Sequence, residues 1–182
     1  MKSKFVKIFF VDHKKHEYNN SPEKEKMLGE LDKLNPDIII VEAGLGMSNT
    51  CSGGNVSPGF LEYYIEFPDE AKKRDIDNLA VNNWAKTKGI EVLLADLPLD
   101  EAKKIAGKNK FSTESSCSEC IKKIYNAREK VIADETIKQL KCKGKENVAI
   151  FVGEQHGLNI MKLLGVDNDI LIKSEDLVNN FK

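Results

Sequence analysis

The chain has 182 residues, of which 41% are hydrophobic and 31% charged, and its formal net charge is −1. This length suits one domain, covering residues 1–182, and is short for two. A net charge near zero means that the chain has no excess of basic residues, so we expect no nucleic-acid partner. Apolar runs stay well below the about 18 residues that a membrane helix needs, so no membrane insertion is expected. The N-terminus lacks the features of a signal peptide, which favours a cytoplasmic protein.

The first half of the chain predicts strands alternating with helices. Residues 4–11 (KFVKIFFV) are β-rich and mostly apolar, as in a buried strand. Ser21 and Pro22 fit an N-cap and a first helical position, and a helix follows until a later proline stops it. Residues 37–42 (DIIIVE) are apolar on both faces, which is typical of a parallel strand covered by helices. Residues 44–59 are rich in Gly, Ser and Asn and predict a long loop, which is a lid, a partner surface or a plain insertion.

The rest of the chain continues the alternation of strands and helices. The predicted elements are helices at 68–88, 100–106, 115–140 and 158–164, and strands at 90–95, 148–152 and 169–173, the last at an edge. Strands that alternate with helices predict an α/β fold. We expect a single layered domain with a mostly parallel central sheet of four to five strands flanked by helices.

Titratable side chains follow the predicted strands where each strand ends. In chain order they are His13, His16, Glu42, Asp96, Glu154 and His156. Because the carboxyl ends of parallel strands meet at one edge of a sheet, these side chains are expected to converge. Chance placement of polar residues in loops is the alternative. We interpret Gly153 as the residue that lets the backbone turn tightly off the fourth strand, so that His156 faces a shared cleft.

Arg128 lies on an apolar helix face. At 100° per residue it falls at the centre of a stripe that includes Ile124, Tyr125 and Ile132. An unpaired guanidinium would be costly there, so the arginine must meet a carboxylate of Glu42, Asp96 or Glu135, or reach a wet site. The alternative is a buried stem with the charged head in water. Arg74 has solvated neighbours and is interpreted as a surface residue.

Four cysteines stand at positions 51, 117, 120 and 142, with one CxxC from Cys117 to Cys120. Reduced thiols are the expected state in a cytoplasmic chain. A zinc site that uses all four, or a redox pair at the CxxC, is a less favoured reading because structural zinc prefers two close pairs.

Taken in order, these motifs make the chain resemble the TraB/PrgY family, which is related to the Tiki metalloproteases and more distantly to erythromycin-esterase and ChaN-like proteins. The matching pieces are HKKH ending on His16, PDIIIVE ending on Glu42, ADLP with Asp96, NAREKVIADE with Arg128, and GEQH ending on His156. Two departures are His13 at a family glycine and Leu97 at a family arginine. The resemblance covers most of the chain.

The resemblance implies a hydrolase of peptides or small acyl compounds that depends on a metal. Two imidazoles and one carboxylate with an open position suit zinc, manganese or cobalt, and a bound ion would activate water. The hypothesis assigns metal ligation to His16, Glu42 and His156, with His13 as the alternative to His16. It makes Glu154 the general base, Asp96 a partner of a histidine, and Arg128 a group that orients Glu42 or binds an anion.

Other functions remain open at this point. The histidines could do acid–base work without a metal, because two lysines beside His13 and His16 repel a cation. A binding module on the same fold could hold a peptide or small ligand without chemistry. A structural or interaction protein is a weaker option. The sequence also leaves the oligomeric state open, a homo-oligomer included.

Overall fold

The computed structural model describes residues 4–11, 22–42, 76–106, 118–166 and 170–172. The elements in chain order are β1 (Lys4–Val11), α1 (Pro22–Leu34), β2 (Ile38–Glu42), α2 (Ile76–Lys88), β3 (Glu91–Ala95), α3 (Leu99–Ala106), α4 (Ser118–Cys142), β4 (Asn147–Gly153), α5 (Glu154–Leu164) and β5 (Ile170–Ile172). His13, His16, Arg74, Cys51, Cys117 and the predicted loop at 44–59 lie outside these ranges. The predictions for those residues therefore stay predictions.

The strands form one five-stranded sheet in the order β3-β2-β4-β1-β5. The pairs β2–β3, β2–β4 and β1–β4 are parallel, and β5 pairs with β1 antiparallel at the edge. The prediction of an α/β fold with a mostly parallel sheet flanked by helices is thus confirmed. The prediction that α5 begins near residue 158 is wrong, because the helix begins at Glu154, directly after β4.

Side chains alternate between two cores, one on each face of the sheet. Ile38 and Ile40 of β2 point toward the face covered by α4 and α5, whereas Ile39 and Val41 point toward the face covered by α1 and α2. The neighbouring strands β3 and β4 alternate in the same way. A third, smaller cluster joins α3 to α4 through Ala102 and Ile124.

Asp37 fixes the amino-terminal ends of β2 and β4 against each other. Its Oδ2 accepts hydrogen bonds from the backbone N–H groups of Glu146 at 2.7 Å and Asn147 at 2.9 Å. The two strands then run in register from Ile38 opposite Val148 to Val41 opposite Phe151. This register decides which side chains meet at the opposite, carboxyl-terminal ends.

Among the helices that the structure describes, none combines the length and the apolar composition needed to cross a membrane.

Candidate functional site

Glu42 and Asp96 stand at the carboxyl ends of two neighbouring strands, β2 and β3. Glu42 continues the alternation of Ile38 and Ile40, so its side chain lies on the face that α4 and α5 cover. β2 lies between β3 and β4 in the sheet, so the carboxyl ends of these three strands stand side by side. Sites in α/β sheets form beyond the carboxyl ends of the strands.

Arg128 crosses from α4 to both carboxylates. Its Nε donates to Asp96 Oδ1 at 2.7 Å, and its Nη2 donates to Asp96 Oδ2 and to Glu42 Oε1, each at 2.7 Å. The arginine side chain is only 12% exposed, so the alternative in which its head reaches water is wrong. The predicted pairing with Glu42 and Asp96 is confirmed. Glu135 is not a partner, because it accepts hydrogen bonds from Lys138 and Gln139 instead.

The carboxyl of Asp96 is completely buried. Burial raises the pKa of Asp96, against the lowering effect of hydrogen bonds and charge from Arg128. Burial also lowers the pKa of Arg128, but the hydrogen bonds and charge of Asp96, together with the charges of Glu42 and Tyr125, outweigh it, so the arginine pKa is raised. The backbone N–H of Leu97 is a third donor to Asp96, at 2.7 Å. Three donors on two oxygens fit a carboxylate that only accepts, so we assign the ionised form.

His156, in the first turn of α5, is 1% exposed. Its Nδ1 lies 3.0 Å from Glu129 Oε1, and Glu129 Oε2 accepts a hydrogen bond from Asn159 Nδ2, also at 3.0 Å. The Tyr125 ring meets the imidazole edge-on, with centroids 4.8 Å apart and planes at 72°. The prediction that Asp96 partners a histidine is wrong for His156, since Asp96 bonds Arg128 and Leu97 while Glu129 holds the ring.

Glu129 is a residue of the cluster that our sequence reading missed. The signal was present, because Glu129 lies four residues after Tyr125 and three before Ile132, on the edge of the same apolar stripe. Neighbouring positions on a helix point about 100° apart, so Arg128 and Glu129 reach different partners. Arg128 reaches the strand ends, and Glu129 reaches α5.

The second ring nitrogen of His156 faces Glu42. Nε2 lies 3.5 Å from Glu42 Oε1, a separation that counts as an ion pair only when the ring is protonated. The geometry is not that of a hydrogen bond, and within the part of the chain that the structure describes Nε2 is a buried atom without a hydrogen-bond partner.

Gly153 links the two halves of this arrangement. Its backbone N–H donates to Glu42 Oε2 at 2.8 Å. Its φ of −57° and ψ of 142° are open to any residue, so the prediction that this glycine makes a special tight turn is wrong. The requirement for glycine lies instead at Gly157, where an added Cβ would overlap the Phe10 ring at the end of β1.

The predicted site residues therefore divide into two groups. Glu42, Asp96, Arg128 and His156 come together at the strand ends, joined by Glu129 and Asn159. Glu154 is the first residue of α5, and nothing is described of its side chain. No three or more His, Cys, Asp or Glu side chains within the described ranges are grouped to hold a metal ion, and His13 and His16 lie beyond those ranges.

Comparison of the chain with protein-family models, with curated proteins and with solved structures found no match.

Proposed function

We propose that this chain is a metal-dependent hydrolase of peptides or small acyl compounds, as its resemblance to the TraB/PrgY family implies. The site would lie at the carboxyl ends of β2, β3 and β4. One observation carries the proposal: the buried His156 Nε2 faces Glu42 Oε1 at 3.5 Å without a hydrogen bond between them.

A cation between these two atoms would remove the repulsion between them. A neutral ring that donates from Nδ1 to Glu129 would carry a lone pair on Nε2, and Glu42 Oε1 is also an acceptor. Two acceptors that face each other in a buried setting repel unless a proton or a metal ion lies between them. Two ligand atoms that bind one zinc ion tetrahedrally, each about 2.0–2.2 Å from the metal, are about 3.3–3.6 Å apart. The observed distance between Nε2 and Oε1 falls within this range.

The charge of the cluster supports the same conclusion. Glu42, Asp96 and Glu129 contribute three carboxyl groups, and Arg128 is the one guanidinium that the structure places against them. A neutral His156 would leave the described cluster with an excess of negative charge. Uncompensated charge is costly when buried, and a divalent cation would balance it.

The residues then have distinct roles. His156 and Glu42 would hold the ion, together with His16 or His13, and a bound ion would lower the pKa of a water molecule and polarise a carbonyl group. Arg128 donates three hydrogen bonds to Asp96 and Glu42, so its role is to orient Glu42. Asp96 fixes the guanidinium from the side of β3. Glu154 remains the proposed general base.

The test is metal content together with hydrolysis. Protein purified without chelators is analysed by inductively coupled plasma mass spectrometry and incubated with a peptide library and small esters. We expect near-stoichiometric zinc, manganese or cobalt and measurable cleavage in the wild type, and loss of both in His156→Ala. Gln155→Ala changes an exposed side chain of the same helical turn and is the matched control. The absence of both metal and cleavage in supplemented wild-type protein would overturn the proposal.

A binding module without chemistry is the second candidate, and one observation favours it. Both oxygens of Glu42 are already engaged, Oε1 by Arg128 and Oε2 by Gly153, so the network is closed around this carboxylate without an ion. A module of this kind would capture a peptide or small ligand at the carboxyl ends of the strands. Saturable ligand binding that survives chelation, with no turnover, would favour this candidate over the hydrolase.

A further inference from the structure

We infer that Glu129, held by Asn159, is a positioning residue that keeps a proton on Nδ1 of His156 and directs Nε2 at Glu42. What Nε2 binds rests on the proposed function. The proton on Nδ1 and the direction of the ring follow from the contacts of the described residues.

The first step concerns the carboxylate of Glu129. Its side chain is 3% exposed, and its two oxygens have different partners: Oε1 lies 3.0 Å from His156 Nδ1, and Oε2 accepts from Asn159 Nδ2. A carboxylate fixed at both oxygens keeps its orientation. An ionised carboxylate only accepts hydrogen bonds, so the partner nitrogen of the ring must carry the proton.

The second step concerns the orientation of the ring. A half-turn of the imidazole would exchange Nδ1 for a carbon and remove the hydrogen bond to Glu129. The edge-on contact with Tyr125, at 4.8 Å between centroids, packs the ring from another side. Tyr125 and Glu129 are four residues apart on α4 and therefore act from neighbouring positions on one helix face. Together they hold both the plane and the direction of the ring.

The third step concerns the second ring nitrogen. Nε2 lies 3.5 Å from Glu42 Oε1 without a hydrogen bond to it. The hydrogen bond from Nδ1 to Glu129 therefore decides which ring nitrogen faces Glu42. A ring whose Nδ1–H is bonded to a carboxylate presents a more basic Nε2, which is the arrangement that metal-binding histidines commonly use.

The experiment reads the tautomer directly. Protein labelled with ¹⁵N-histidine is freed of metal and studied by long-range ¹H–¹⁵N correlation at about pH 8, above the ordinary imidazole pKa. His156→Gln identifies the signals of this ring among the three histidines. We expect a protonated Nδ1 in the wild type. A neutral ring with its proton on Nε2 would overturn the inference.

Variants test the role of Glu129. In Glu129→Gln the amide nitrogen is able to donate to Nδ1, so we expect a mixture of tautomers, and Zn²⁺ or Co²⁺ affinity reduced about 10–100-fold. Asn159→Ala frees one carboxylate oxygen and should shift the tautomer in the same direction by less. Asn159→Ala also tests the positioning role if the Glu129→Gln variant does not fold. Asp134→Asn, at an exposed position of the same helix, is the control.

Two outcomes separate this inference from the proposed function. A wild-type tautomer that persists unchanged in both folded variants would overturn the positioning role. The expected tautomers in all variants, combined with no binding of Zn²⁺ or Co²⁺ to any of them, would support the positioning role and overturn the metal-dependent hydrolase.

Discussion

The ring of Phe10 occupies the space that a side chain at Gly157 would need. Phe10 is the next-to-last residue of β1, and Gly157 lies in the first helical turn of α5 beside His156. The absence of a Cβ therefore allows the carboxyl end of β1 to pack directly against the helix that carries the histidine.

Relative to Gly29→Ala, which brings the same gain in helix propensity, Gly157→Ala should lower the free energy of unfolding by about 1–3 kcal/mol, because the added methyl group displaces the Phe10 ring. In a Phe10→Ala background the same change should cost clearly less. Urea denaturation of the four proteins of this double-mutant cycle gives the coupling energy. An equal cost in both backgrounds would contradict the contact.

Gly29 provides the matched control for that substitution. It lies inside α1, and a Cβ added there meets nothing within 4 Å. Gly29→Ala should raise the free energy of unfolding by about 0.5–1 kcal/mol, since alanine is the better helix former and loses less backbone entropy.

Arg128→Met should lower the free energy of unfolding by about 3–5 kcal/mol. The apolar stripe alone suggests that methionine is tolerated, but the change leaves the completely buried Asp96 without its main partner. Thermal and urea unfolding measure the loss. Lys130→Met, which breaks an exposed pair with Asp134 on the same helix, should change stability by less than about 1 kcal/mol. Equal stability of the two variants would show that Asp96 has another partner.

Asn35→Ala should lower the free energy of unfolding by about 1 kcal/mol, whereas Asn35→Gly should leave it unchanged or raise it. Asn35 follows α1 with a φ of 45°, and its N–H bonds the carbonyl of Leu31 at 2.9 Å. This left-handed conformation is strained for alanine and open to glycine. Chemical denaturation distinguishes the two variants, and indistinguishable midpoints would contradict the assigned conformation.

Stability should fall with acid partly through Glu30. Hydrogen bonds from Lys33 and Lys7 lower the pKa of Glu30 from 4.5 to about 2. A carboxyl whose pKa is lower in the folded state stabilises it above pH 4.5 and loses that contribution as the pH falls toward about 2.

Glu30→Gln should therefore flatten the dependence of unfolding free energy on pH in that window, and added salt should reduce the difference because the group is near the surface. Denaturation at a series of pH values measures the slope. Glu25→Gln, at an exposed position of the same helix, is the control. A wild-type slope in Glu30→Gln would contradict the lowered pKa.

The pairing of Arg128 with Glu42 and Asp96 could be predicted from the sequence because burial and charge left few options. An arginine on an apolar stripe needs a carboxylate, and acids at the ends of parallel strands are the ones within reach. The strands could also be predicted, since each of β1, β2 and β3 contains a continuous apolar run of four residues, too short for a helix.

The partner of His156 could not be predicted in the same way. Glu129 is buried only because α5 packs beside α4, and helical periodicity alone does not say which neighbour a flanking position meets. The role of Gly153 was misjudged for a related reason. Glycine before a helix suggests an unusual turn, yet here the backbone conformation is ordinary and the requirement for glycine lies four residues later, at Gly157.

The bond from Asp37 to the start of β4 has a consequence for how the chain avoids misassembly. A slip of β2 by a single residue against β4 would send alternate side chains to the opposite face. Glu42 would then lie in the apolar core beneath α1 and α2, away from Arg128. At the other end of the strand, Asp37 would lose its hydrogen bonds from the backbone N–H groups of Glu146 and Asn147. The polar contacts at both ends of β2 thus disfavour the same one-residue slip. A substitution that weakens the contact at one end leaves the contact at the other end to maintain the register.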